Sequence, residues 1–313
     1  MKNSISIALP AIVQLAACGL LVLALSTCAR AQNTNLDHFD FQATQAAADK
    51  GDANAQFELA RCYAEGKNVQ PNFAKAAQYL QKSAGQGNTD AEVALASLYG
   101  RGRGVPRSVD MAVHWYRKAA DQGDGLAQFA MGNFYSTGRG VTNIDMVQAI
   151  EWWQKAANKN QAEAQALLGE LYLVPSAERG TNYLNFPEAL HWLRAAAAQD
   201  SAGAMNNLGV AYQSGLGVPI DLAEAAKWFR MAAERGDAQA QANLGQIYFD
   251  GSGVPLDFVQ AYKWFKLSSV QGNSLGTIGF NNFQGHPLLK PQQLAKAEQM
   301  VLDFKPIPPS KKM

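Results

Sequence analysis

The sequence predicts an all-α solenoid, an array of short helical hairpins stacked side by side, and three observations carry that expectation. A unit of about 36 residues recurs six times along the chain. Each copy holds two blocks of apolar residues at helical offsets, and glycine- and proline-bearing turns separate the blocks. Hydrophobic residues make up 48% and charged residues 17%, which supplies a core and rules out a disordered chain.

The elements follow in order. Lys2 precedes an apolar run from Ile5 to Leu25, and Ala29-Arg30-Ala31 stands before Gln32. A charged start, an apolar middle and small residues two apart make residues 1–31 a signal peptide and the mature chain an exported one, periplasmic or secreted. The alternative is a membrane anchor, because the run approaches the roughly 20 residues that span a bilayer. Leu15-Ala16-Ala17-Cys18 resembles a lipoprotein cleavage box and Leu25-Ser26-Thr27-Cys28 a poorer one. Cutting at Cys18 would leave Leu20 to Leu25 on the mature protein, so that site ranks below Ala31. After cleavage at Ala31 the chain keeps Cys62 alone, and one thiol forms no internal disulfide.

Residues 32–50 form a front cap, with Phe39 to Lys50 as a lone second helix carrying Ala47-Ala48. The repeats run 51–86, 87–122, 123–159, 160–199, 200–235 and 236–271. Tyr63, Tyr99, Tyr135, Tyr172, Tyr212 and Tyr248 hold one slot; Tyr79, Trp115, Trp152, Trp192, Trp228 and Trp264 hold another, 16 residues later in four of the six. In a first half such as Ala240, Leu244 and Tyr248, steps of four put the residues on one helical face. A second half such as Ala261 to Phe265 reads as another helix, and pairs such as Ala119-Ala120 let a neighbour approach closely. Between the halves, Gly102-Arg-Gly104-Val105-Pro106 and its equivalents end the first helix, and Asp221 and Asp257 are placed to cap the next. The fourth unit replaces that turn with an insert from Pro175 to Phe186. Residues 272–304 form a back cap, in which Lys290-Pro291 opens a helix reaching about Phe304, and residues 305–313 read as a loose tail. No hairpin of this kind buries its apolar face alone, so neighbours must cover one another.

Candidate chemistry is sparse. Lys plus Arg number 27 against 26 Asp plus Glu, so a net charge of +1 offers no field for nucleic acid or anionic lipid. The glycine pairs follow helices rather than strands and read as caps, not phosphate loops. His114 and His191 share a slot with Gln78, Glu151, Lys227 and Lys263, which makes them surface residues. His38 and His286 lack ligand-like neighbours, and Cys62 has no histidine partner nearby in sequence. Arg101, Arg103, Arg107 and Arg139 read mainly as solvated loop charges, with an acidic ligand as the lesser reading. The sequence holds no Gly-x-Ser-x-Gly, His-Glu-x-x-His or Cys-x-x-Cys pattern. No catalytic residue, cofactor site or metal site is assigned.

The order Ala, Leu-Gly, Tyr, Gly-x-Gly-Val, Asp, Ala-x-x-Trp-Phe, Ala-Ala, Gly over residues 51–271 resembles the Sel1-like repeat family, relatives of the tetratricopeptide repeat. The resemblance implies a right-handed superhelix acting as a non-enzymatic adaptor for a protein or peptide partner. Some exported members carry a cysteine pair in every repeat and are suspected of binding or hydrolysing β-lactams. With Cys62 alone in its repeats, this chain departs from that branch, and a cell-wall or β-lactam hydrolase is the disfavoured reading. In such solenoids the first helices line a concave groove. The matching pairs here are Phe57 and Arg61, Val93 and Ser97, Phe129 and Asn133, Ala166 and Glu170, Asn206 and Val210, and Ala242 and Gln246. Asn133 stands where related repeats hold a ligand's main chain, so a partner peptide or helix is expected in the groove, with the 175–186 insert at one edge.

Overall fold

A computed structural model describes residues 40–174, 183–285 and 288–310. The signal segment, Cys18, Cys28, His38, most of the insert and His286 lie outside these residues. The described residues form fifteen α-helices and no strand. The chain divides into two compact units, up to Lys159 and from Asn160 onward.

The first unit holds α1 (Phe41–Asp49), α2 (Ala53–Glu65), α3 (Phe73–Gly85), α4 (Thr89–Arg101), α5 (Val109–Asp121), α6 (Gly125–Thr137) and α7 (Met146–Asn158). The second holds α8 (Ala162–Leu173), α9 (Phe186–Ala197), α10 (Ala202–Ser214), α11 (Leu222–Glu234), α12 (Ala238–Asp250), α13 (Phe258–Val270), α14 (Ser274–Gly285) and α15 (Pro291–Leu302). Within each unit, helices pack on those next in the chain, which is the solenoid plan.

Local chemistry sets the boundaries. Asp52, Asn72, Asn88, Asp124, Asp145, Asp221 and Asp237 each accept a backbone N–H three residues on, so short polar side chains start the helices. Gly66, Gly102, Gly138, Gly215 and Gly251 end first helices with φ between +66° and +74°. The second glycine of the turn serves packing: a Cβ on Gly104 would sit 2.2 Å from the Phe73 backbone, and one on Gly253 2.4 Å from Leu222. Each such turn therefore lies directly on the start of the preceding repeat's second helix.

One bond closes all six hairpins. The N–H of the residue capping the second helix donates to the carbonyl of the slot tyrosine, from Asn72 to Tyr63 at 2.7 Å through Asp257 to Tyr248 at 3.0 Å. The fourth repeat keeps it, Asn185 to Tyr172 at 2.9 Å, so the insert is spliced between unchanged anchors.

The C-terminal end differs from expectation in two ways. Ser274–Gly285 is a helix, the first half of an incomplete seventh unit, packed on α13 and α12, while α15 packs on α13. Residues 305–310 are tied down: Ile307 N–H donates to the Glu234 carbonyl at 2.8 Å, and Ser310 N–H to Asp200 Oδ2 at 3.0 Å.

Candidate partner-binding face

Each hairpin is locked by a large side chain entering a small slot. The small positions are Ala60, Ala96, Gly132, Gly169, Gly209 and Gly245 on the first helices; the large ones are Leu80, Tyr116, Trp153, Leu193, Phe229 and Phe265 on the second. A Cβ on Gly132 would stand 2.3 Å from the Trp153 indole, and one on Gly209 2.7 Å from the Phe229 ring. All six large residues, one position beyond the Trp slot, are buried, and Leu193, Phe229 and Phe265 fully so.

Within the Tyr and Trp slots, Tyr172, Trp152, Trp192 and Trp264 are buried and the remaining members half-buried. Tyr63, Tyr99, Tyr135, Tyr212 and Tyr248 are half-buried, and the hydroxyls of Tyr99, Tyr135 and Tyr248 meet the preceding repeat. Gln81 donates to Tyr99 Oη at 2.9 Å, and Arg117 and Arg230 donate to Tyr135 and Tyr248. Cations cover the Trp slot, with Lys155 Nζ 4.1 Å from the centre of the Trp152 ring and Lys263 Nζ 4.1 Å from Trp264.

What the first helices leave to solvent is a stripe at steps of three and four. In the first unit it runs through Glu58 and Arg61 on α2 and Leu126 and Asn133 on α6; in the second, through Leu167 and Glu170 on α8, Asn207 and Val210 on α10, and Asn243 and Gln246 on α12. On α4 the same positions, Ala94 and Ser97, are small and buried.

This places the expected groove residues in two classes. Arg61, Asn133, Glu170, Val210 and Gln246 lie on the stripe. Phe57, Val93, Phe129, Asn206 and Ala242 do not; each is buried between neighbouring helices. The reason is angular: the stripe continues three residues before Arg61, at Glu58, and Phe57 is one further step of about 100° around the helix, toward the adjacent repeat. Ala166 is partly buried, also one position before the stripe at Leu167.

Several stripe residues are engaged within the protein. Arg61 Nη1 binds Glu58 at 3.1 Å, and its Nε lies 3.8 Å from Glu65. Gln246 Nε2 donates to Asp250 Oδ2 at 2.7 Å, and Asn243 Nδ2 to Asn206 Oδ1 at 3.0 Å. Asn133 Oδ1 accepts from Trp153 Nε1 at 3.0 Å, and Ser97 bonds the Tyr116 hydroxyl, whose pKa burial pushes up to about 12. Tyr116 and Trp153 are the large-slot residues with polar tips. Ser97 and Asn133 each thus bond the polar tip of a large-slot residue within their own hairpin.

Elsewhere, His114 and His191 are exposed, each edge-on to the following Trp ring. Cys62 is buried, and burial raises its thiol pKa. Arg103 and Arg139 are exposed on their turns, with the Arg103 guanidinium 5.0 Å from the centre of the Phe73 ring. Among the described residues no group of three His, Cys, Asp or Glu side chains is placed to hold a metal ion, and no helix is long and apolar enough to cross a membrane.

The Sel1 repeat profile matches residues 53–88, 89–124, 125–161, 162–201, 202–237 and 238–273, each segment two residues later than the boundaries read from periodicity. Among solved structures, a Sel1 repeat protein from Oxalobacter formigenes is 31% identical over 79% of this chain and 96% of its own, with a TM-score of 0.66. The protein c5321, a protective antigen of uropathogenic Escherichia coli strains with an SLR fold, is 29% identical over 84% of this chain and 71% of its own, with a TM-score of 0.38. The immunity protein Pa5087 from Pseudomonas aeruginosa is 20% identical over 72% of this chain and 83% of its own, with a TM-score of 0.40. No curated protein matches the chain.

Proposed function

The chain belongs to the Sel1 repeat family, and from that membership we propose that it is an exported, non-enzymatic scaffold that holds a partner peptide or helix along the solvent-facing stripe of its first helices. Sel1 repeat proteins are typically protein–protein interaction scaffolds. One observation supports the stripe above all: its partly exposed residues change character from repeat to repeat, Arg61, Asn133, Glu170, Val210 and Gln246, while the small slots stay Ala or Gly and the closing tyrosine bond recurs in all six. Side chains that the frame does not require are free to be set by a ligand. Export rests on residues 1–31 alone, with Lys2, the apolar run and Ala29-Arg30-Ala31 as its elements.

Two measurements test the two parts. The exported species should have the intact mass of a chain starting at Gln32; a mass retaining residues 1–31, or a lipid on a cysteine, would replace export by membrane tethering. For the stripe, Asn207→Arg, Val210→Glu and Gln246→Arg change partly exposed side chains and should leave circular dichroism and melting near wild type. Cross-linking mass spectrometry in the native fraction should then lose the wild-type partner. Retained partner cross-links in that folded triple variant would move the binding site off the first helices.

A further inference from the structure

Phe304 packs edge-on against Trp264 of the sixth repeat, with ring centres 5.6 Å apart. Pro306 covers Gly236, and Ile307 N–H donates to the Glu234 carbonyl, both at the end of the fifth repeat. Ser310 reaches the turn closing the fourth, where its N–H and hydroxyl both donate to Asp200 Oδ2. Asp200 Oδ1 meanwhile accepts from Arg235 Nη2 at 2.6 Å, which fixes the carboxylate. The tail thus advances about one repeat for every three residues.

That ratio has a physical cause. Pro306, Pro308 and Pro309 fix their own φ and restrict the residues before them, so the segment favours the polyproline II helix. Three residues of that helix advance about 9.3 Å. The contacts of Phe304, Ile307 and Ser310 recur at that three-residue period, each on the next repeat along. Beside the tail lies an open depression of about 410 Å³ whose wall includes Glu234, Lys263, Trp264 and Met300 together with Phe304 and Ile307 of the tail itself.

We propose that the closing-turn edge of the fourth to sixth repeats is a docking track for proline-rich segments, and that residues 304–310 occupy it as an intramolecular ligand. A partner segment would be extended, with an aromatic residue at the first contact, an aliphatic three residues on and serine three further, prolines between. This edge is separate from the first-helix stripe, so neither reading depends on the other.

The test uses a labelled peptide with the sequence of residues 304–310 and two full-length chains, wild type and Phe304→Ser with Ile307→Asp and Ser310→Ala. A tethered tail competes at an effective concentration of the order of millimolar. The variant should therefore bind the peptide at least ~10-fold more tightly than wild type. Replacing the three prolines of the peptide by glycine should weaken binding by a similar factor. Should the Phe304 change unfold the end, the milder Ile307→Asp with Ser310→Ala serves, and in wild type the Ile307 and Ser310 amides should exchange at least ~10-fold more slowly than in the free peptide. Equal binding to wild type and variant, no binding to a folded variant at millimolar peptide, or unprotected tail amides would overturn the track. A wild-type dimer that dissociates when the tail is changed would overturn intramolecular occupancy.

Discussion

Glu92 stands where four other repeats carry glutamine, at Gln56, Gln128, Gln165 and Gln241. Three of these glutamines donate from Nε2 to the carbonyl eight residues earlier, at 3.2 Å to Ala48, Ala120 and Ala233. Gln56 and Gln241 also accept at 2.8 Å from the glutamine closing their own repeat. Glu92 keeps the second bond, from Gln122 at 2.7 Å, but an ionised carboxylate has no proton for the Ala84 carbonyl. Burial raises its pKa above the ordinary 4.5, only partly offset by Lys118 and the Gln122 bond. The stability this group contributes is therefore present below its unfolded pKa and lost as pH rises through the raised one. Glu92→Gln should stabilise the protein by about 1 kcal/mol near pH 7, with the gain shrinking toward zero near pH 4. Denaturant titrations at the two pH values check this, and a gain that grows toward acid would refute it. Asn133 shows why such roles escape a sequence reading. Periodicity puts it on the first helix's open side, which is correct, but its partner Trp153 lies 20 residues away on another helix. Only the pairing of slots across the hairpin shows that polar tips at Tyr116 and Trp153 call for Ser97 and Asn133.

At the scale of helices, the Leu-Gly pair recurs in the sequence of the first helices, and the structure shows what its glycine packs against. In α12, a Cβ on Gly245 would come within 2.8 Å of the Phe265 ring, which is fully buried and has nowhere to retreat. Gly203, near the start of α10, has nothing within 4 Å of the same atom. The same substitution should thus have opposite signs: Gly245→Ala destabilises by about 1–3 kcal/mol through overpacking, whereas Gly203→Ala stabilises by about 0.5–1 kcal/mol through helix propensity. Thermal melts of the two variants decide it, and a shared sign would mean that the slot is not what keeps glycine there. The repeats were legible because six copies average out local noise. The ends were less so, because they occur once. Ser274–Gly285 carries its Leu275-Gly276 at the helix start, out of register with the repeats, lacks the slot Tyr, and holds Gly279 and Gly285 besides, so its helix shows only in its packing on α13. The tail reads as loose because its anchor, Asp200, lies 110 residues away from Ser310.

For the whole molecule, the arrangement of contacts determines how it unfolds. Packing within each unit joins helices close in sequence, so stability should be a sum of local terms rather than one cooperative quantity. Leu95 in α4 is fully buried in the cluster that includes Ala60, Leu80 and Leu98. Leu95→Ala should cost about 2–5 kcal/mol by opening a cavity. In a single cooperative domain every slowly exchanging amide would lose protection by the same amount. Here we expect the loss to be confined to α2 through α6, the repeat itself and its neighbours, while α11 to α13 keep wild-type exchange. Those later helices carry a second restraint, since the tail links the end of α15 to the fourth and fifth repeats through Glu234 and Asp200. Releasing it by Ile307→Asp with Ser310→Ala should raise exchange in α10 and α11 and leave α2 to α6 untouched. Hydrogen exchange read by mass spectrometry on the two variants gives complementary maps if stability is local. A uniform rise across all helices in either variant would show that the repeats unfold as one body.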